Sequence, residues 1–177
     1  MNYLKNYTVP FKGLRDGTHV FDFDVDKKFF EQFEHSEIDN GKFSVVVKLE
    51  KNDTFLVLDF TTKGIIELEC DRCLENFDLK IESEDRLIVK FGEEIFDSRY
   101  IGEELQEISH QQSEINIAQY IYEFIHLHLP YKRVHPDDDS GNPTCNQEVL
   151  KSLGKYIIYE ENEPDPRWDK LKGLLKN

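Results

Sequence analysis

Cysteine is scarce in this chain, with three residues in 177, and the count is odd. A secreted disulfide framework needs a denser, even set, so the thiols point to a reducing compartment. Long apolar runs are missing as well. No stretch approaches the roughly 18 residues that mark a bilayer span, and the N-terminus lacks the basic-then-apolar layout of a signal peptide. A cytoplasmic protein is expected. Signatures of catalysis are also absent: there is no nucleophile elbow, no Gly-rich phosphate cradle and no helical His pair, so no enzymatic activity and no small-molecule substrate are expected.

Positive charge is the other shortage. Lys and Arg number 22 against 36 Asp and Glu, a net charge of −14. The deficit is uneven: residues 1–130 carry a net −13 and residues 131–177 a net −1. An acidic body repels phosphate backbones, which argues against an extended nucleic-acid groove and for a basic protein as partner. Acidity of this kind also serves solubility, and charge by itself does not separate the two.

The first 130 residues are patterned for strands. Phe21, Phe23 and Val25 alternate with Val20, Asp22 and Asp24, the period of a half-buried strand. Asp26 is placed to cap a short helix that holds Phe29, Phe30 and Phe33. Phe43 to Leu49 and Phe55 to Thr61 form the best-marked hairpin, and Gly64 reads as a break before a further strand, Ile66 to Cys70. Phe77 to Ile81 and Leu87 to Phe91 read as two more. The period then changes. Asn116 and Gln119 have capping-box spacing, and Ile117, Ile121, Phe124, Ile125 and His128 share one face up to Leu129, where Pro130 ends the run. His126 and His128 face different ways on such a helix, which excludes a two-His metal pair.

An α+β fold is therefore expected, an antiparallel strand-rich sheet of five to eight strands or a partly open barrel. One long helix, 116–130, packs on it. Residues 131–177 form a tail with a metal loop and a short terminal helix. In that tail Lys155 to Tyr159 reads as a strand, and Asp137, Asp139, Gly141 and Glu148 resemble a calcium loop whose glycine is one place too early. Asp165 and Pro166 suit the N-cap and first turn of the terminal helix, and Trp168, Leu171, Leu174 and Leu175 give it an apolar stripe. Arg167, Lys170 and Lys172 make it locally basic.

Cys70-Asp71-Arg72-Cys73 sits between two strand-patterned runs, so both thiols lie in a hairpin turn. Two intervening residues let both sulfurs face one point, which is half of a tetrahedral zinc shell. His135 and Cys145, in a loop rich in Asp, Gly and Pro, could supply the other half as a structural Cys3His site. Reduced thiols packed in a turn fit the same residues.

Three islands together resemble the YceD family: the Cys-x-Arg-Cys-Leu turn at Cys70 to Leu74, a helix bearing Glu123 that runs to Leu-x-Leu-Pro at Pro130, and Asp-Pro-Arg-Trp-x-x-Leu-x-x-Leu from Asp165 to Leu174. That resemblance implies a ribosome-biogenesis factor linked to accumulation of large-subunit ribosomal RNA. Many members carry a cysteine-rich stretch beginning about five residues past the proline. Here that position is His135, and Cys145 is what remains of the rest. A large-subunit ribosomal protein or precursor particle is the expected partner. The terminal helix, through Arg167, Trp168, Lys170 and Lys172, is the expected contact. The alternative is a protein that binds ribosomal RNA directly through that same basic helix.

Overall fold

A computed structural model describes residues 3–92, 104–109 and 111–156. The chain divides into two compact units, residues 1–134 and 135–177.

The first unit is built on a five-stranded sheet in the order β2-β3-β4-β5-β6, with β2 Gly17–Val25, β3 Asn40–Lys51, β4 Phe55–Glu69, β5 Asn76–Phe91 and β6 Glu104–Ile108. The first four strands run antiparallel in sequence order, whereas β6 joins β5 in parallel. A two-stranded ladder pairs β1, Thr8–Pro10, with β7, Glu114–Asn116. Pro10, at the end of β1, is tolerated because that strand lies at the edge of its ladder.

The expected hairpin forms in full register, with Val47 opposite Phe60 and Leu49 opposite Leu58. Phe43, Val45, Val47, Leu56, Leu58 and Phe60 are all buried on one face. Strand alternation puts them there, and their apolar area is the main force holding the sheet to what covers it. Helix α1, Lys27–Phe30, lays Phe29 and Phe30 on that face; the Asp26 carboxylate caps it by accepting the Phe29 N–H at 3.3 Å.

Two strands are much longer than their sequence suggests. Gly64 does not break the chain, because β4 runs through it for 15 residues, and β5 continues for 16 across the polar stretch Ser83 to Arg86. Asn40 and Gly41, residue types common in turns, open β3.

The expectation of one long helix packed on the sheet, and of a partly open barrel, is corrected. Among the described residues the sheet is open, with β2 and β6 as its edges, and no helix exceeds the ten residues of α2, Ala118–Leu127. Pairing with β1 takes Asn116, the first residue of the expected helix, into β7, and the Ile117 N–H donates to the Tyr7 carbonyl at 2.8 Å. No capping box forms. The Asn116 side-chain oxygen accepts the Ala118 N–H, and the Gln119 amide reaches forward to Glu123 at 2.7 Å. At the far end the ring Nδ1–H groups of His126 and His128 donate to the carbonyls of Tyr122 and Phe124, 2.8 and 2.9 Å away, and the His128 backbone N–H donates to the Phe124 carbonyl at 3.3 Å; Pro130, two residues on, has no N–H with which to continue the helix. What α2 buries is short: Ala118, Ile121, Phe124 and Ile125, with the Phe124 ring edge-on to Phe60 at 5.1 Å.

In the second unit, α3 spans Gln147–Gly154 and Asn146 caps it, accepting the Glu148 N–H at 2.9 Å. Lys155 and Tyr156 form a turn where a strand was expected. The terminal helix, with Arg167, Trp168, Lys170 and Lys172, lies outside the described residues.

Candidate metal centre

Strand β4 ends at Glu69 and delivers Cys70 into a tight turn. The Leu74 N–H returns to the Cys70 carbonyl at 2.8 Å, and the Cys70 N–H donates to the Glu75 carbonyl at 3.0 Å. Residues three apart on one helical turn share a face, so Cys70 and Cys73 are directed together; their relative exposures are 0% and 5%. Leu74 closes the turn at φ 60°, the left-handed region that a side chain disfavours by about 1–2 kcal/mol. Its side chain is 70% exposed, so it contributes little packing in return. Leu74→Gly is therefore expected to keep or raise stability, by up to about 1 kcal/mol, in a denaturant titration.

Asp71, between the cysteines, ties this turn to a distant segment of the same unit. Its N–H donates to the Arg133 carbonyl and its carboxylate accepts the Arg133 N–H, both at 2.7 Å. The Arg133 guanidinium then donates to Glu37 at 2.6 Å. That hydrogen bond, with the charge behind it, holds the Glu37 carboxyl below its ordinary range. The chain is thus anchored to the Cys70–Cys73 turn two residues before His135.

Within the second unit, a self-bonded loop closes the nine-residue gap between His135 and Cys145. The Asp138 carboxylate accepts the N–H groups of Ser140 and Asn142 at 2.9 and 2.8 Å, and Asp137 bridges to Pro143. Gly141 supplies a φ of 80°, and the Thr144 hydroxyl donates to the Pro136 carbonyl at 2.7 Å. The loop ends meet, with Cys145 Sγ 3.7 Å from His135 Nδ1. Asp138, one of the acidic residues of the stretch that resembled a calcium loop, is engaged with its own backbone.

Hydrogen bonds from Asn142 and then Ser140 lower the Asp138 pKa. A depressed carboxylate contributes order above its unfolded value of about 3.9, and that order is lost as pH falls through the folded value. Exchange protection of the Ser140 and Asn142 amides should hold from neutral pH down to about 4 and fail below it, whereas Asp138→Ala should lack it throughout.

The ligand atoms of Cys70, Cys73, His135 and Cys145 form one group, all within 4.8 Å of one another, that could hold a metal ion. The donor set fits zinc. Three soft thiols and an imidazole match a closed Cys3His shell, and all three cysteines are buried. Tetrahedral zinc at about 2.3 Å from sulfur and 2.0 Å from nitrogen puts neighbouring ligand atoms about 3.5–3.8 Å apart, which the His135–Cys145 spacing already meets. Sequence reasoning grouped the same four residues and missed their supports. An aspartate inside the Cys-x-x-Cys turn was the available clue for Asp71; Arg133 and Glu37 carried none.

The family model described as large ribosomal RNA subunit accumulation protein YceD matches residues 58–175, from within β4 past the cysteine turn and the loop. No curated protein and no solved structure gives a significant match.

Proposed function

The chain belongs to the family of the large ribosomal RNA subunit accumulation protein YceD, and from that premise we propose that it is a non-enzymatic ribosome-biogenesis factor. In this reading it acts in the cytoplasm, supporting accumulation of large-subunit ribosomal RNA by binding a basic ribosomal protein or a precursor particle. Structural zinc held by Cys70, Cys73, His135 and Cys145 completes it. Four protein ligands leave no open coordination position, so such an ion orders the fold and activates no water.

The observation that carries this reading is the family match combined with a net charge of −14. A protein of that charge is drawn to basic proteins and held off bare phosphate backbones. Among the described residues no helix is long and apolar enough to cross a membrane.

The test is co-sedimentation of the tagged chain with large-subunit precursors, before and after nuclease. A basic ribosomal protein that stays bound after nuclease is the expected result. Binding lost both to nuclease and to charge reversal at Lys170 and Lys172 would move the function to direct RNA contact. No association with precursors at all would overturn both readings.

A further inference from the structure

Strand β2 is a sheet edge guarded by neither proline nor lysine, neither a bulge nor brevity. Natural edges are blunted by proline, by lysine, by bulges or by brevity. This one runs nine residues, pairs with β3 without interruption from Gly17 opposite Lys51 to Val25 opposite Phe43, and contains neither proline nor lysine. Among the described residues no strand lies on its other side. Among the described residues, the hydrogen bond that reaches its backbone there comes from the Tyr7 hydroxyl to the Asp24 carbonyl, 2.8 Å away at the C-terminal end.

The side chains of this edge are as distinctive as its backbone. Thr18, Val20, Asp22 and Asp24 are exposed on one face, with Val20 at 59%, while Phe21 and Phe23 on the other face are half-buried. Across β3, Asp22 and Asp24 stand opposite Val46 and Ser44, and neither forms an ion pair among the described residues. From Asp16 to Asp26 there are four aspartates and no Lys or Arg.

We propose that the β2 edge is a docking site for an extended, basic segment of a partner protein, which adds a sixth strand to the sheet. An edge of alternating N–H and C=O groups, hydrated when free, is the element to which an extended peptide pairs along its whole length. Lys or Arg at alternate positions, about 6.6–6.8 Å apart, meets Asp22 and Asp24, and intervening apolar residues extend the face begun by Phe21 and Phe23. A second copy of the chain is the poorer occupant. Two β2 strands side by side would gather both aspartate pairs into one stretch of like charge. The inference gives the assembly-factor reading its contact surface and partner chemistry, and rests on that reading for the partner's identity alone. Residues 17–25 lie outside the segment matched by the family model.

The probe is a fluorescent nine-residue peptide of alternating Lys and Val, titrated against the full chain by anisotropy. Two further versions carry N-methyl groups on one or the other alternate set of amides. In strand pairing only one set faces β2, so methylation of that set is expected to weaken binding at least about tenfold, and methylation of the other less than about twofold. Asp22→Lys with Asp24→Lys should lose at least about tenfold, and Asp22→Asn with Asp24→Asn part of that, with unchanged thermal melts.

Absence of binding, equal sensitivity to both methylations, or indifference to the aspartate variants would overturn the proposal. So would self-association of the chain that these variants abolish, since it would assign the edge to a second copy. Failure here is separable from failure of the assembly reading. A chain that captures precursors equally well with and without Asp22 and Asp24 refutes the edge alone. A chain that pairs with the peptide as described yet ignores precursors refutes the assembly role alone.

Discussion

Purified protein is expected to carry about one equivalent of zinc, and Cys73→Ser to reduce it to below about a tenth. Cys73 is the informative choice because it lies in the turn, whereas Cys70 closes the apolar series of β4 with no exposure at all and would cost packing as well. His135 separates ligation from packing further. His135→Ala should lose the metal and His135→Cys should keep it, since thiolate and imidazole are interchangeable ligands for zinc. The energetic effect should be large. Structural zinc sites in small peptides reach roughly 10–16 kcal/mol of apparent binding energy. Even about 3–5 kcal/mol of that, in a chain of this size, shifts a melting temperature by roughly 10 °C on chelation. Elemental analysis, a thermal scan with and without chelator, and thiol alkylation of the folded protein are the measurements. Metal-free protein with all three thiols alkylated at native rates would return Cys70 to a core residue and Cys73 to a turn residue.

The grouping of these four candidate ligands could be read in the sequence because zinc chemistry restricts residue type and spacing, and both survive without knowledge of the fold. Strand pairing is another matter. Ser83 is buried inside β5, where its hydroxyl donates to Asp85 at 3.0 Å, and Asp85 also faces His128 at 3.8 Å. Two of the polar residues that made β5 look like two strands, Ser83 and Asp85, are thus inward residues with partners, while Glu84 and Arg86 are exposed, so the alternation carries on through the polar stretch. Non-local pairing misled the helix assignment too. Nothing in residues 114–116 announces that β1, more than a hundred residues earlier, will claim them. The same holds for β6, an acidic run with weak pattern whose strand conformation depends on a parallel neighbour. Arg167, Trp168, Lys170 and Lys172 were singled out by composition, capping pattern and the family resemblance of their motif, and they fall beyond the described residues.

Gly64 shows how a residue that looks like punctuation can be a packing requirement, and its replacement is expected to be among the most damaging single changes in the first unit. It stands in the ladder between Phe43 of β3 and Ile81 of β5. A Cβ at this position would overlap the Lys42 carbonyl oxygen and the Phe43 ring, whose Cγ would be 2.6 Å away. Phe43 cannot yield easily, because it is buried and packs edge-on to Phe30 with ring centroids 6.1 Å apart. Gly64→Ala is expected to cost on the order of 3 kcal/mol, at the upper end of overpacking effects, because one of the two obstructing groups is backbone. That detail makes the prediction specific. Truncating Phe43 removes the ring but leaves the Lys42 carbonyl, so Gly64→Ala should still destabilise a Phe43→Ala background. Ile66 and Leu68 follow on the same strand and precede Cys70, so the damage should reach the metal turn as reduced zinc retention. Chemical denaturation of the two single variants and the double variant closes the cycle. A Gly64→Ala change that is neutral once Phe43 is gone would show that the ring alone requires the glycine, and that the backbone of β3 can move away.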